Sequence, residues 1–349
     1  MSKNNQDKLI DYRIKKLFGL DSYDLEIIDS GLINNTWVVK DNGKPRSVIQ
    51  RVNKIFPKEI NEDIDNITKF LLKNNFKTPL IIPSITGEIF IEIDGYVWRH
   101  LSYIEGHNYN CLKNKKQARS AGELLGRFHK IINNCDYNFS YVKKYHYNFS
   151  HYKEEITKAL INKKDHRNIN IVKEISNQIF NLSKLIPNLD DSHLRKVHGD
   201  PKITNIIFND NDEAICLIDL DTLGERPIYY EIGDALRSWC NQKSEDHEDS
   251  ILSLSYFKNV VEGYAVEGGD ILKKIEYENI LPSFLFITLE LSARFCVDAL
   301  NESYFSWNNK IYNSHSEHNI IRSKGQLNLA KQIQDNFDAL QKVVLTSFR

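Results

Sequence analysis

Between residues 196 and 222 the chain gathers oxygen-bearing and cationic side chains at both ends of a short apolar element. His198-Gly199-Asp200, Lys202 and Asn205 come first, and Ile206-Ile207-Phe208 follows. After an Asn/Asp-rich stretch (209–213) comes a second apolar run, 214–218, with Asp219 and Asp221 at its end. Two such runs around a polar turn predict a β-hairpin. Its entry and exit then converge at one end of a rigid element, an arrangement suited to holding Mg²⁺ and a polyphosphate. Phosphoryl transfer needs a carboxylate to position the acceptor, oxygen ligands for the metal, and a cation near the transferring phosphate. Asp200, the pair Asn205 and Asp219, and Lys202 supply these in that order.

The flanking sequence has to build a frame for this hairpin. A helical spacing over 9–18 gives way to strands at 25–28, 36–40 and 47–52, with turns at 30–35 and 41–43. Pro57 opens a helix running to about residue 74, with Ile60, Ile64, Ile67, Leu71 and Leu72 on one face. Two more strands, 88–91 and 96–103, are joined through the Asp94-Gly95 turn. Beyond Ile104-Glu105-Gly106 the pattern turns helical: 115–132, 154–160, 169–185, 232–240, 252–264, 280–300 and 320–345. The expected class is α+β in two lobes: a small antiparallel-sheet N-lobe with one helix (1–104) and a larger, mainly helical C-lobe (105–349). No repeat or low-complexity linker separates them.

A chain of 349 residues supports two lobes of ordinary size. With 46 basic against 47 acidic residues the net charge is −1, which gives no global attraction to nucleic acid or an anionic membrane. The five cysteines are odd in number and lack CxxC spacing, so reduced thiols are expected rather than a zinc site or disulfide frame. The first eight residues are polar, without the apolar core of a signal peptide. The longest apolar run, 281–291, is interrupted by Pro282, Ser283, Thr288 and Glu290. A cytoplasmic monomer acting on a small molecule is expected.

The five-residue step from Asp200 to Asn205 matches the step from catalytic Asp to metal-binding Asn in protein kinases. His198-Gly199-Asp200 with Asn205 and Asp219 resembles the aminoglycoside and choline kinase superfamily, whose bilobal protein-kinase-like fold phosphorylates small-molecule hydroxyls. The longer form, HGDPKxxN, then IDLDT, then Gly233-Asp234-Ala235-Leu236-Arg237, is similar to the N-acetylhexosamine 1-kinases. Segments 31–36, 48–53, 98–99, 103–106 and 289–295 carry the likeness from about residue 20 to 335.

The resemblance implies ATP and Mg²⁺ as cofactors. Asp200 would accept or orient the acceptor proton, Asn205 and Asp219 would ligate Mg²⁺, and Lys202 would reach the γ-phosphate. His198 would brace the loop. Gly31 would cover the phosphates, Arg51 would stand where the superfamily places its strand-three cation, with Glu59 or Glu62 as helix partner, and Tyr103 and Glu105 would present backbone to adenine. The implied acceptor is the anomeric hydroxyl of an N-acetylhexosamine, held by Asn34, Arg294 and Tyr304. Asp221 would either support the ligands from behind or join the substrate side, because strand alternation leaves it on the face of Asp219. Two departures bear on the acceptor: Leu32 and Asn35 stand where the sugar kinases commonly carry His and Asp.

Two other readings compete. A kinase of a cationic amine, choline or an aminoglycoside, would need an acidic wall, for which Glu245, Asp246, Glu248 and Asp249 are the candidates. A non-catalytic nucleotide-binding regulator would have no need of Asp200, Asn205 and Asp219 together.

Overall fold

The computed structural model describes residues 10–28, 33–141, 148–189 and 193–348. They form two compact units. The first comprises residues 1–105 together with 134–142 and 218–223, and the second comprises the rest.

In the first unit a short helix, α1 (Tyr12–Leu17), precedes strands β1 (Asp24–Ile28), β2 (Asn35–Asp41) and β3 (Lys44–Val52). Helix α2 (Ile60–Lys73) then leads to β4 (Ile91–Ile93) and β5 (Tyr96–Ser102). The five strands make one antiparallel sheet in the order β1-β2-β3-β5-β4. One face packs Trp37, Val39, Ile49 and Trp98 against Ile14 and Phe18 of the α1 region, with the two indoles stacked at 5.5 Å. Period-two alternation sends Gln50 and Arg99 to the opposite face, where Arg99 meets Asn61 of α2. Two local expectations are corrected. Leu72 is 51% exposed, because a step of about 100° per residue carries it past the Ile60–Ile64–Ile67–Leu71 stripe. The fourth strand starts at Ile91 rather than residue 88, since Glu88 is held in a turn by Ser84 and Thr86.

The second unit is mostly helical: α3 (Lys115–Ile132), α4 (Phe149–Asn162), α5 (Ile169–Ser183), α6 (Ile228–Trp239), α7 (Leu254–Gly268), α8 (Lys274–Glu278), α9 (Ile280–Asn301), α10 (His315–Asp335) and α11 (Phe337–Ser347). Two small antiparallel ribbons complete it, β6 (Arg195–Val197) with β9 (Gly224–Arg226), and β7 (Ile206–Phe208) with β8 (Ala214–Leu217). The β7–β8 pair is the expected hairpin. Its turn is organised by Asn209, whose Oδ1 accepts from the N–H groups of Asn211 and Glu213. The single helix expected over 320–345 is instead two helices. Asn336 breaks it by donating from its side chain to the Gln332 carbonyl, a local bond that competes with helix continuation.

Helix α9 is the helix expected over 280–300. The polar interruptions do not break it: Pro282 falls in the first turn, where a missing N–H costs nothing, and Ser283 and Thr288 donate to carbonyls of their own helix. At 22 residues with mean hydropathy 1.6 it is long and apolar enough to cross a membrane, yet 78% of that window is buried inside the protein.

Helices α3 and α7 approach closely across glycine. A Cβ on Gly122 would sit 2.1 Å from the Val260 carbonyl oxygen. Gly122→Ala is therefore expected to destabilise the protein by about 1–3 kcal/mol through overpacking, a loss readable as a lower urea midpoint.

Candidate active site

The loop that follows β6 carries several of the residues expected to do chemistry, and one buried acid holds it. Glu231, in the first turn of α6 and fully buried, accepts from the backbone N–H of His198 at 2.8 Å and of Gly199 at 2.9 Å. Gly199 lies at φ +94°, a left-handed conformation that side-chain-bearing residues rarely adopt. His198 is buried, and its Nδ1 accepts from the Asp200 N–H at 3.3 Å, so it braces the loop. Farther on, the Ile203 N–H donates to Ser238 Oγ at 2.9 Å, a second tie to α6.

This support makes Glu231 testable. Glu231→Gln leaves one of the two N–H groups facing a donor, and a buried hydrogen bond to a charged group contributes about 1.5–3 kcal/mol. A stability loss of that size is expected in chemical denaturation, accompanied by a lower kcat with the KM for ATP nearly unchanged.

Asp200, Lys202 and Asn205 come together. Lys202 Nζ lies 2.7 Å from Asp200 Oδ2. Asn205 Nδ2 donates to the Asp200 carbonyl at 2.8 Å and to its Oδ2 at 3.2 Å. Burial pushes the Asp200 carboxyl up, but Lys202, with smaller help from His198 and Arg237, more than offsets it and holds the group below the ordinary carboxylate range. Asp200 is therefore an ionised acceptor for a proton or hydrogen bond at neutral pH. Nearby, Asp234 is pushed up by burial and by Asp200, against the pull of Arg237. Arg237 lies 2.8 Å from Asp234 and 2.5 Å from Glu245, and these acids hold it protonated despite its burial.

Asp219 and Asp221 belong to the first unit. Strand β8 ends at Leu217, Asp219 stands at φ +65°, ψ +62°, and Leu220–Thr222 is a single 3-10 turn. For a non-glycine residue that left-handed conformation costs roughly 1–2 kcal/mol, a strain of the kind found where a side chain must be aimed. Strand alternation, on which the pairing of Asp221 with Asp219 rested, does not extend this far. Asp221 is 3% exposed, and its carboxylate faces Arg99 Nη1 at 2.5 Å and Asn34 Nδ2 at 2.6 Å. Asn34 Oδ1 in turn accepts from the Asn53 N–H, and Arg99 also donates twice to Gln50 Oε1. Asn34 and Asp221 thus spend their polar atoms on each other and on this buried network.

The remaining expected residues fall on other elements. Arg51 donates to Asn35 Oδ1 at 3.1 Å and lies over the Tyr96 ring. Glu59 and Glu62 are both exposed at the start of α2. Tyr103 and Glu105 follow β5 outside any helix or strand, and Gly31 and Leu32 lie outside the described residues. Arg294, on α9, stands 3.5 Å from both Glu290 and the hydroxyl of Tyr304, which is itself 62% exposed. Glu231 and Arg99 were missed as site supports. Arg99 sits in a segment that carried the family likeness, but nothing local distinguishes it from a surface cation, and Glu231 reads as an ordinary first-turn helix acid.

Asn205 directs its NH₂ at Asp200, which leaves the amide oxygen as the end able to meet a hard cation. That oxygen is a hard donor of the kind that suits Mg²⁺, which takes few protein ligands and completes its shell with phosphate and water. No cluster of three or more His, Cys, Asp or Glu side chains able to hold a metal occurs among the described residues.

Residues 24–254 match the model of the family described as Phosphotransferase enzyme family. Among solved structures, the chain is similar to amicoumacin kinase hAmiN in complex with AMP-PNP, Ca2+ and Ami, with a TM-score of 0.62, 12% identity and 96% of each chain covered. It is also similar to a microcompartment-associated aminopropanol kinase, with a TM-score of 0.62, 13% identity, and 95% of this chain and 99% of that one covered. A choline kinase from Cryptosporidium parvum Iowa II matches with a TM-score of 0.56, 14% identity, and 91% and 90% covered. At these identities the likeness is one of fold, and it agrees with the α+β class expected above.

Proposed function

The chain belongs to the phosphotransferase enzyme family, and from that premise we propose that it transfers the γ-phosphoryl group of ATP to a free sugar. The proposed acceptor is the anomeric hydroxyl of an N-acetylhexosamine, giving the sugar 1-phosphate and ADP. The observation that carries the choice of a neutral acceptor is the state of the acidic run. Glu245 faces Arg237, Asp246 faces His318 and Arg322, Glu248 faces Lys324, and Asp249 faces Lys243 and His247. Asp234, beside Asp200, faces Arg237. A cationic amine needs negative charge not already compensated, and each of these acids faces a cation, with Asp234 and Glu245 sharing Arg237.

In this reading the Asp200 carboxylate accepts the hydrogen bond of the attacking hydroxyl and takes its proton as the new P–O bond forms and the bond to the leaving ADP oxygen breaks. Lys202 is a point charge within 3 Å of that carboxylate, where the charge of the transferring group arrives. Asn205 and Asp219 would hold Mg²⁺, which when bound neutralises phosphate charge. Glu231 and Ser238 keep the loop in place. Arg51 is assigned to the phosphates, the chain around Tyr103 and Glu105 to adenine, and Arg294 and Tyr304 to the sugar. Asn34 and Asp221 are assigned to the buried Arg99 network rather than to the acceptor.

The test is ADP release from Mg·ATP with a panel of free hexosamines, choline, 1-amino-2-propanol and an aminoglycoside, with ³¹P NMR of the product. Turnover on an N-acetylhexosamine with an anomeric phosphate resonance supports the proposal. Turnover confined to the amines overturns it in favour of an amine acceptor, the reading favoured by the substrates named for the structural neighbours.

A further inference from the structure

The acidic run holds more than its own charge balance. Its first two residues, Glu245 and Asp246, face different partners. Glu245 Oε1 accepts from Arg237 Nη1, and Arg237 lies near enough to Asp200 to help keep it ionised. Asp246 Oδ1 accepts from His318 Nε2 at 2.8 Å and Arg322 Nε at 2.7 Å, while its carbonyl accepts from the Tyr312 hydroxyl at 2.9 Å. Those partners gather the segment between α9 and α10. Arg322 Nη1 donates to the Ser306 carbonyl at 2.8 Å, the Asn308 N–H donates to His318 Nδ1 at 3.3 Å, and the Tyr312 ring stacks on His318 at 3.9 Å.

The near end of the same segment hangs from Asp298. Its Oδ1 accepts from the N–H groups of Ser303 and Tyr304, and its Oδ2 from that of Phe305, from His315 Nε2 and from Asn319 Nδ2. The loop bearing Tyr304 is therefore fixed at one end by Asp298 and farther along through Asp246.

We infer that Asp246 is a positioning residue for the acceptor: it clasps the 302–314 loop to the turn whose neighbouring residue, Glu245, holds Arg237 beside Asp200. The acceptor it positions rests on the sugar-kinase reading above, whereas the clasp does not. Burial pushes the Asp246 carboxyl up, but His318 and Arg322 bring it down to about 2, so the clasp stays charged at neutral pH.

The experiment compares the full-length protein with Asp246→Asn, which keeps the shape and removes the charge. Hydrogen exchange without acceptor is expected to quicken in peptides covering 302–314 and to stay unchanged in 228–240. With the N-acetylhexosamine that the wild type phosphorylates best, the KM for sugar is expected to rise roughly tenfold, the effect of about 1.4 kcal/mol. The KM for ATP is expected to stay within about twofold, whereas a purely structural role would leave both KM values of the folded enzyme unchanged. Should Asp246→Asn fail to fold, Arg322→Lys serves, since a lysine cannot bridge Asp246 and the Ser306 carbonyl with two donors. Unchanged exchange in 302–314, or an unchanged acceptor KM, overturns the inference. If the wild type phosphorylates no hexosamine, the sugar reading fails alone: exchange still tests the clasp, and the kinetic arm is run with the acceptor that does turn over.

Discussion

Asp200→Asn is expected to lower kcat by roughly three orders of magnitude, within the range associated with loss of a positioned general base. ATP affinity, measured by calorimetry, should stay within about threefold, because a base that acts on the acceptor adds little to nucleotide binding. The amide can still accept from Asn205, so the loop keeps its shape, but it cannot take a proton and no longer balances Lys202. Lys202 holds Asp200 below the ordinary carboxylate range, so protonation of Asp200 should not impose an acidic limb on kcat above about pH 4. Retention of more than about a tenth of wild-type turnover would place the base elsewhere, since two to four orders of magnitude are at stake.

The hairpin and its entry loop were legible because their information is local. Asp200, Lys202 and Asn205 lie within six residues, and the turn 209–213 announces itself by composition. The sheet-plus-helix pattern of the first unit was legible for a similar reason, since alternation and the Asp94-Gly95 turn are read over a few residues. What escaped depends on contacts that no window spans. Glu231 supports a loop more than thirty residues upstream, and Arg99 meets Asp221 across a separation of 122 residues. Asp221 was placed by strand alternation, which fails once the chain leaves β8 and turns through a left-handed Asp219. The acidic run looked like a solvated face or a cation wall, and its partners on α10 lie some seventy residues away.

Arg99→Met is expected to cost about 3–5 kcal/mol in chemical denaturation, because it strands the buried Asp221 carboxylate. The side chains of both partners are 2% exposed, and 2.5 Å separates them. Water cannot stand in for the lost guanidinium, and Asn34 Nδ2 remains as a donor to that acid. Adding Asp221→Leu should recover much of the loss, since exchanging a buried ion pair for apolar groups is often close to neutral. Recovery should stop short of wild type. Gln50 Oε1 accepts twice from Arg99 and Asn34 donates to Asp221, so the double variant leaves the buried amide of Asn34 and the half-buried amide of Gln50 to find new partners, at about 1–3 kcal/mol each where they fail. A single-variant cost below about 1 kcal/mol would mean that the pair is hydrated like a surface ion pair. Because Asp221 follows Asp219 by two residues on the same turn, the single variant should also need more Mg²⁺ for half-maximal activity. A lowered denaturation midpoint with an unchanged Mg²⁺ requirement would confine Arg99 to stability and detach it from the metal loop.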